Sequence, residues 1–139
     1  MEIKNMSFKV GQTLTVVGIP KTNASSFSVN IGLNKENLML HINPRFDLEG
    51  NQKIVCNSYQ GGKWSEEQHH SCFPFCKGEE FKITAKFTSS GFSVIFWSES
   101  ALTTRAVVSA VLCSNRLGAE KYSFFSFTGD VRIVSVEIK

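Results

Sequence analysis

The sequence is dominated by short runs in which apolar and polar residues alternate with a period of two. Between positions 81 and 87, Phe, Ile, Ala and Phe alternate with Lys, Thr and Lys, and similar runs occur at 26–31 and 134–138. Because successive side chains of a strand point to opposite faces, each run predicts a strand with one buried face. Glycines punctuate the chain at the spacing of an all-β fold. The pattern predicts a β-sandwich of two antiparallel sheets.

Length and charge restrict the classes of protein further. The 139 residues fit one domain, taken as residues 1–139, and the 42% hydrophobic content can supply a core. The net charge is only +3, and acidic residues are interspersed with basic ones, so we expect no nucleic-acid partner. No apolar run has the length of a signal peptide or a membrane span, which predicts a protein that starts in the cytosol without membrane insertion.

The oxidation state of the cysteines and the secondary structure of one segment are less directly indicated by the sequence. The four cysteines, Cys56, Cys72, Cys76 and Cys113, come without a secretory signal, so we expect reduced thiols. The segment from Ser98 to Leu112 mixes helix-favouring residues with β-branched ones. It fits either an extended hairpin or a short helix.

The run from Asn37 to Phe46 places three hydrogen-bonding side chains on one face of a predicted strand. His41, Asn43 and Arg45 fall on the side opposite the apolar positions. Together they offer donors and acceptors without a nucleophile, which suits a ligand with several hydroxyl groups. Pro44 cannot donate to a ladder, so it predicts an edge, a bulge or an open position. The simpler alternative is an ordinary solvent-facing strand face.

A tryptophan in polar surroundings is the second candidate feature. Trp64 follows the pair Gly61-Gly62 and is flanked by Lys63, Ser65 and two glutamates. Such a tryptophan is either partly buried against a neighbour or an exposed binding platform.

In this order and spacing, the motifs of the chain resemble those of the galectin family, the β-galactoside-binding lectins. The motifs are His41-x-Asn43-Pro44-Arg45, Val55-Cys56-Asn57-Ser58, Trp64-x-x-Glu67, Phe73-Pro74-Phe75 and Asn115-Arg116-Leu117-Gly118. The resemblance extends over essentially the whole chain and is greatest to single-domain, prototype members of the kind found in fish and other vertebrates. It implies a jelly-roll-like sandwich with the sugar on the concave sheet.

The resemblance also implies roles for individual residues. His41, Asn43 and Arg45 match the positions that bind the axial 4-hydroxyl of galactose, Asn57 and Glu67 match those that contact the 6-hydroxyl, and Trp64 matches the stacking platform. Glu67 is further expected to hold the arginine and the second sugar. Glucose lacks the axial hydroxyl and would leave hydrogen-bonding groups of His41, Asn43 and Arg45 without a partner. The expected ligands are therefore lactose and N-acetyllactosamine-type glycans.

Three features depart from the family pattern. His69 stands where an arginine is usual, two residues after Glu67, and Glu49 replaces a histidine that several members carry. Both positions are candidates for an extended site. Since histidine titrates near neutrality, His69 predicts that lactose affinity depends on pH, and His41 could contribute in the same range. The segment from Ser98 to Leu112 is longer than the corresponding family hairpin.

Rival functions find less support in the sequence. A glycoside hydrolase needs two carboxylates at a defined separation, and no convincing pair is present, so we expect no enzyme and no cofactor. His69, His70, Cys72 and Cys76 could be zinc ligands, but their spacing is unlike that of zinc motifs. Phe73-Pro74-Phe75 between the two cysteines is predicted to be a core-facing strand, and no metal is expected. A further alternative is a structural or interaction protein that keeps the galectin fold with weak or altered sugar binding.

Assembly and location follow from the resemblance alone. The segments Ile3 to Val10 and Val131 to Lys139 read as strands that in this family tend to lie where two subunits meet. We therefore expect a homodimer that crosslinks β-galactoside glycans. The resemblance also implies secretion without a leader, giving both a cytoplasmic and an extracellular location.

Overall fold

The computed structural model describes residues 1–48, 50–71, 73–98 and 109–139. These residues form twelve β-strands and no helix. The strands are β1 (Glu2–Lys9), β2 (Thr13–Pro20), β3 (Phe27–Asn34), β4 (Asn37–Leu48), β5 (Asn51–Gln60), β6 (Lys63–Trp64), β7 (Gln68–His70), β8 (Phe81–Thr88), β9 (Gly91–Ser98), β10 (Ser109–Ser114), β11 (Lys121–Gly129) and β12 (Val131–Ile138). None of the described residues belongs to a helix long and apolar enough to cross a membrane.

The strands form two antiparallel sheets, which confirms the predicted all-β sandwich. The seven-stranded sheet has the order β1-β11-β3-β4-β5-β6, with β7 also paired to β5. The five-stranded sheet has the order β10-β9-β8-β2-β12. β6 pairs with Tyr59 and Gln60, and β7 pairs with residues 54–56, so both short strands lie along one edge of β5.

Phenylalanine rings fill the space between the two sheets. Phe27 of the larger sheet stacks on Phe81 of the smaller one, with ring centroids 5.0 Å apart. Phe75 packs edge-on against both Phe27 and Phe96, at 5.7 and 5.8 Å. The sequence predicts a core-facing strand for Phe73-Pro74-Phe75, and that prediction is wrong in one respect. The segment belongs to no strand, although Phe75 is buried.

Two of the edge strands, β1 and β12, are the terminal segments that the sequence predicts as strands. In β12 the alternation 134–138 is interrupted, because the register shifts between Ile133 and Ser135. Val134 is consequently 47% exposed, whereas Ile133, Val136 and Ile138 pack against the core. The prediction that Val134 shares the buried face is therefore wrong, since a bulge turns this residue outward.

Part of the ambiguous segment Ser98 to Leu112 can now be assigned. Positions 109–114 form β10, which pairs with β9 along its length. The extended alternative is therefore correct for the end of the segment. Positions 99–108 lie outside the described residues, as do Glu49 and Cys72.

Candidate functional site

The outward face of β4 carries the three polar residues that the sequence singles out. His41, Asn43 and Arg45 are partly exposed, while Ile42 and Phe46 between and beyond them are buried. The strand lies inside the larger sheet, between β3 and β5. Its apolar side is fixed by the core, and the polar side chains are therefore held at strand spacing on an open surface.

The side chain of Asn43 supplies a hydrogen-bond donor that Pro44 lacks in an internal strand. Phe46 N–H donates to Ser25 C=O at 2.8 Å, and Val29 pairs with Ile42, so the register places Pro44 opposite Phe27. Pro44 has no N–H to donate to Phe27 C=O. The side-chain Nδ2 of Asn43 donates to this carbonyl instead, at 2.7 Å. Position 44 is thus the open position of the ladder that the sequence predicts as one alternative.

The same carboxamide orients Arg45. With Nδ2 committed to a carbonyl, Asn43 Oδ1 is the free acceptor, and Arg45 Nε donates to it at 2.7 Å. The arginine then reaches Glu67, with 3.5 Å between Arg45 Nη2 and Glu67 Oε2. One side chain therefore links the backbone of β3 to the guanidinium of the site.

His41 is held in one tautomer by a buried polar network. Asn30 Nδ2 faces the backbone carbonyl and the hydroxyl of Ser126, and also Ser28 Oγ. Because a carbonyl only accepts, the nitrogen of the Asn30 carboxamide must point there and its oxygen must point to His41. His41 Nδ1 lies 2.5 Å from this oxygen. The ring therefore carries its proton on Nδ1 and leaves Nε2 as an acceptor.

The protonation state of His41 agrees with this arrangement. Burial, together with the nearby positive charge of Arg45, lowers the pKa of His41 to about 4, against a smaller opposing effect of Glu67. The imidazole is neutral at physiological pH. His41 therefore does not contribute to a pH dependence near neutrality, the possibility that the sequence leaves open, because partial burial and the charge of Arg45 both disfavour the protonated ring.

Trp64 is an exposed platform at the side of His41. Its side chain is 52% exposed, and its ring centroid lies 4.7 Å from those of both His41 and Tyr59. Contact on two sides fixes the indole while leaving much of its surface free. Trp64 is therefore half-buried against its neighbours and also offers an exposed surface, so both alternatives from the sequence describe part of its environment.

Glu67 lies between two positively charged or protonatable groups. One carboxylate oxygen faces Arg45, and the other accepts from His69 Nε2 at 2.9 Å. The hydrogen bond from His69, with the charge of Arg45, lowers the pKa of Glu67 below its usual value. His69 thus contacts Glu67 directly, and the carboxylate stays ionised.

The link from Trp64 to Glu67 depends on a break in the strand. Trp64 and Glu67 have opposite parity, so a continuous strand could not direct both side chains to one face. β6 ends at Trp64 and β7 begins at Gln68, which leaves positions 65–67 in an irregular connection, the 65–67 loop. The chain therefore bends where the sequence requires it to bend.

Two residues, the buried Asn57 and the exposed Arg116, hold the 65–67 loop. Asn57 is 7% exposed, and its Nδ2 donates to Ser65 C=O at 3.0 Å while its Oδ1 accepts from Ser58 N–H. Arg116, in the connection after β10, donates to Ser58 Oγ at 3.2 Å and to Glu66 C=O at 3.4 Å. In the sequence Arg116 is recognisable only as part of the motif Asn115-Arg116-Leu117-Gly118, which assigns it no role. Its contacts join residues 50 and 58 positions apart in the sequence, which no local pattern indicates.

The open face continues past His41 and Trp64 as a shallow groove of about 330 Å³. Ser28, Ser126, Thr128 and Lys35 are among the residues that line it. The structure thus brings His41, Asn43, Arg45, Trp64, Glu67 and His69 to one surface and places Asn57 below it. Glu49 lies outside the described residues.

Comparison with known proteins identifies the family of the chain. A model of the galactoside-binding lectin family matches residues 1–105. The β-galactoside-binding lectin of Electrophorus electricus is 42% identical over 137 residues, which cover 98% of this chain and 95% of the relative. The chain belongs to the galectins.

Solved galectin structures agree with this assignment. The galectin-1-L2 of Dario rerio superposes with a TM-score of 0.87 at 46% identity, over 99% of this chain and 98% of the other. A homodimeric agglutinin from chicken liver, CG-16, superposes with a TM-score of 0.83 at 30% identity, over 100% and 98%. The described part of this galectin therefore shares the architecture of these two proteins.

Two alternatives to sugar binding that the sequence raises are an enzyme and a zinc site. The relatives are lectins, and no enzymatic family is indicated. Among the residues that the structure describes, no group of three or more His, Cys, Asp or Glu side chains is placed to hold a metal ion. His69, one of the residues considered for zinc, is hydrogen-bonded to Glu67, and Cys72 lies outside the described part of the chain.

Proposed function

We propose that this galectin binds lactose and N-acetyllactosamine-type glycans on the face formed by His41, Asn43, Arg45, Trp64 and Glu67. The observation that carries the proposal is the pairing of an ordered polar strand with an exposed indole beside it. The polar strand offers the lone pair of His41 Nε2 and the guanidinium of Arg45. The indole offers a flat apolar surface 4.7 Å from the imidazole centroid.

This combination suits galactose in particular. A hydroxyl group can donate to His41 Nε2 and accept from Arg45 at the same time, so one axial hydroxyl would satisfy both. The C–H face of the sugar would then lie on Trp64. Glucose has no axial hydroxyl and would leave these prepared groups without a partner, which costs affinity. Glu67 and Asn57 are proposed to contact the 6-hydroxyl, and Glu67 and His69 the second sugar.

The test is retention on immobilised lactose, with elution by free lactose. The chain offers a matched control, because Trp97 on the smaller sheet is also exposed, at 41%. We expect Trp64→Ala to lose retention and Trp97→Ala to keep it. Galactose should elute the protein and glucose should not. A wild-type protein that flows through, or equal loss in both variants, would favour the alternative of a galectin-fold structural or interaction protein.

We further propose that the protein is a homodimer that crosslinks glycans. CG-16, a relative of similar structure, is described as homodimeric and an agglutinin. Strands β1 and β12 form edges of the two sheets, and β12 exposes Val134. Free edges of this kind can pair across a two-fold axis. Two linked weak sites would also bind a glycosylated surface far better than one.

The dimer is tested by sedimentation at tens of micromolar, a concentration at which even weak dimers of about micromolar affinity are populated. We expect a dimer in reductant that agglutinates galactose-bearing cells, with reversal by lactose. Val134→Lys should favour the monomer without loss of lactose retention. A monomeric wild type that does not agglutinate cells would remove crosslinking and leave sugar binding in place.

Location is proposed to be both cytoplasmic and extracellular. The free thiols of Cys56, Cys76 and Cys113 suit synthesis in a reducing compartment, and the proposed ligands are cell-surface glycans. Export that persists when the classical secretory pathway is blocked would support this proposal, and blocked export would contradict it. The protein is also proposed to release lactose unchanged, which chromatography of recovered sugar can check.

A further inference from the structure

The outer face of the smaller sheet carries an apolar strip beside its edge strand β10. Trp97 on β9 is 41% exposed and Leu112 on β10 is 66% exposed, and the partly exposed Ile95 lies between their positions. Leu112 pairs with Ser93, four residues from Trp97 along β9, so the strip is about 13 Å long at the spacing of a strand. Apolar side chains that lie together on a surface mark interaction sites, whereas single exposed ones are ordinary.

Two lysines of the neighbouring strand flank this apolar strip. On β8, Lys82 lies directly opposite Trp97, and Lys86 lies opposite Ser93 at the other end of the strip. Both lysines are exposed, and neither forms an ion pair with a carboxylate of the residues that the structure describes. Their charges are therefore available to an anionic partner.

Carboxylates are scarce on this side of the protein. In the described structure, strands β10, β9, β8 and β2 contain no Asp or Glu. Strand β12 contains only Glu137, whose carboxylate lies 3.0 Å from Lys139 Nζ, and its exposed Arg132 adds a further positive charge. Glu80 precedes β8, at one end of the face. The outer face of the smaller sheet is therefore positively charged along the apolar strip.

We propose that this face docks on the surface of an anionic phospholipid membrane. Trp97 and Leu112 enter the headgroup region, and the two lysines contact the negative headgroups. Tryptophan favours this region, because its ring is apolar while its N–H still donates a hydrogen bond. A lipid surface offers apolar and anionic contacts side by side, and the cytoplasmic leaflet is such a surface. A sulfated polysaccharide would supply the charges but no apolar layer for Leu112.

Docking through this face leaves the galactoside site free. The smaller sheet is separated from β4 by the core, in which Phe27 and Phe81 of the two sheets stack on one another. A protein held on lipid by Trp97 therefore presents His41 and Arg45 away from the membrane. Membrane docking and lactose binding are thus independent, and each can be tested without the other.

The two tryptophans of the chain, Trp64 and Trp97, allow a matched pair of single-tryptophan proteins. In Trp64→Phe, we expect the fluorescence of Trp97 to shift to the blue on phosphatidylcholine vesicles that contain about 30% phosphatidylserine. In Trp97→Phe, the fluorescence of Trp64 should not shift on the same vesicles. Vesicles of phosphatidylcholine alone should shift neither protein.

Vesicle sedimentation measures the affinity. Lys82→Gln/Lys86→Gln should bind about tenfold or more weakly, since each lysine beside an anionic membrane contributes about fivefold. The matched control is Lys63→Gln/Lys121→Gln, which removes two exposed lysines of the larger sheet and should keep the affinity. Binding of the wild type should weaken as salt rises, because salt screens the lysines, and saturating lactose should not change it.

The outcomes separate this inference from its alternatives. Absence of binding to phosphatidylserine vesicles, or equal loss in the two double variants, overturns the proposal. A blue shift of Trp64 in place of Trp97 also overturns it, since the other face then meets the membrane. Retention on immobilised heparin without vesicle binding overturns it in favour of a sulfated polysaccharide. A protein that binds vesicles through Trp97 but ignores lactose supports this inference and contradicts the proposed function.

Discussion

Replacement of Asn43 tests whether its side chain performs the task of a missing backbone N–H. Phe27 is buried, and in Asn43→Ala its backbone carbonyl has no hydrogen-bond donor. An unsatisfied buried carbonyl costs about 1–3 kcal/mol. For a chain of this size we expect the melting temperature to fall by about 3–5 °C per kcal/mol. Lactose affinity should also fall by about tenfold or more, because Arg45 Nε loses its acceptor.

The decisive measurement combines this change with Pro44→Ala. In the native background Pro44→Ala adds disorder to the unfolded chain and should cost about 0.4–1 kcal/mol. In the Asn43→Ala background it restores an N–H opposite Phe27 C=O, so it should stabilise the protein. We therefore expect the effect of Pro44→Ala on the free energy of unfolding in urea to change sign between the two backgrounds.

Stability and binding should separate in the double variant. It should regain much of the stability lost in Asn43→Ala, yet bind lactose as poorly, since Arg45 remains without its acceptor. Titration calorimetry and urea unfolding measure the two quantities independently. If Pro44→Ala destabilises both backgrounds equally, Asn43 does not replace the missing N–H, and the register argument is refuted.

Three further predictions concern the other side chains of the site. Trp64→Ala should abolish lactose binding while changing the free energy of unfolding by less than about 1 kcal/mol, since the indole is half exposed; a large loss of stability in urea would contradict this. The pKa of His41 in the folded protein is about 4, below the usual 6.5 of a histidine, so only the unfolded chain takes up this proton as pH falls from about 6.5 to 4. Stability should decline over that window by up to about 3 kcal/mol, and the decline should shrink in His41→Gln; an equal decline in both proteins assigns it to other groups. His69→Arg should place a permanent charge beside Glu67 and reduce the pH dependence of lactose affinity, and an unchanged profile between pH 5.5 and 7.5 would make His69 a bystander.

Features that depend on alternation within one strand were predictable from the sequence. The outward placement of His41, Asn43 and Arg45 follows from a period of two, and the break before Glu67 follows from parity. The orientation of Asn43 was not predictable, because it depends on the register between β3 and β4. The role of Arg116 was equally hidden, since its partners are distant in sequence. The outward turn of Val134 required a bulge that hydrophobic alternation cannot reveal.

The polar network under His41 has a consequence for reading related sequences. Whether the imidazole presents a lone pair or a proton to its ligand is decided by Asn30, and the direction of Asn30 is decided by Ser126 on another strand. A chain that kept the motif His41-x-Asn43-Pro44-Arg45 but placed an apolar residue at position 30 would release the ring to either tautomer. Such a chain would look unchanged in its motif, yet the sites with the proton on Nε2 would offer the ligand hydroxyl a donor where it needs an acceptor. The hydrogen-bonding character that His41 presents to a ligand thus depends on residues outside the motif.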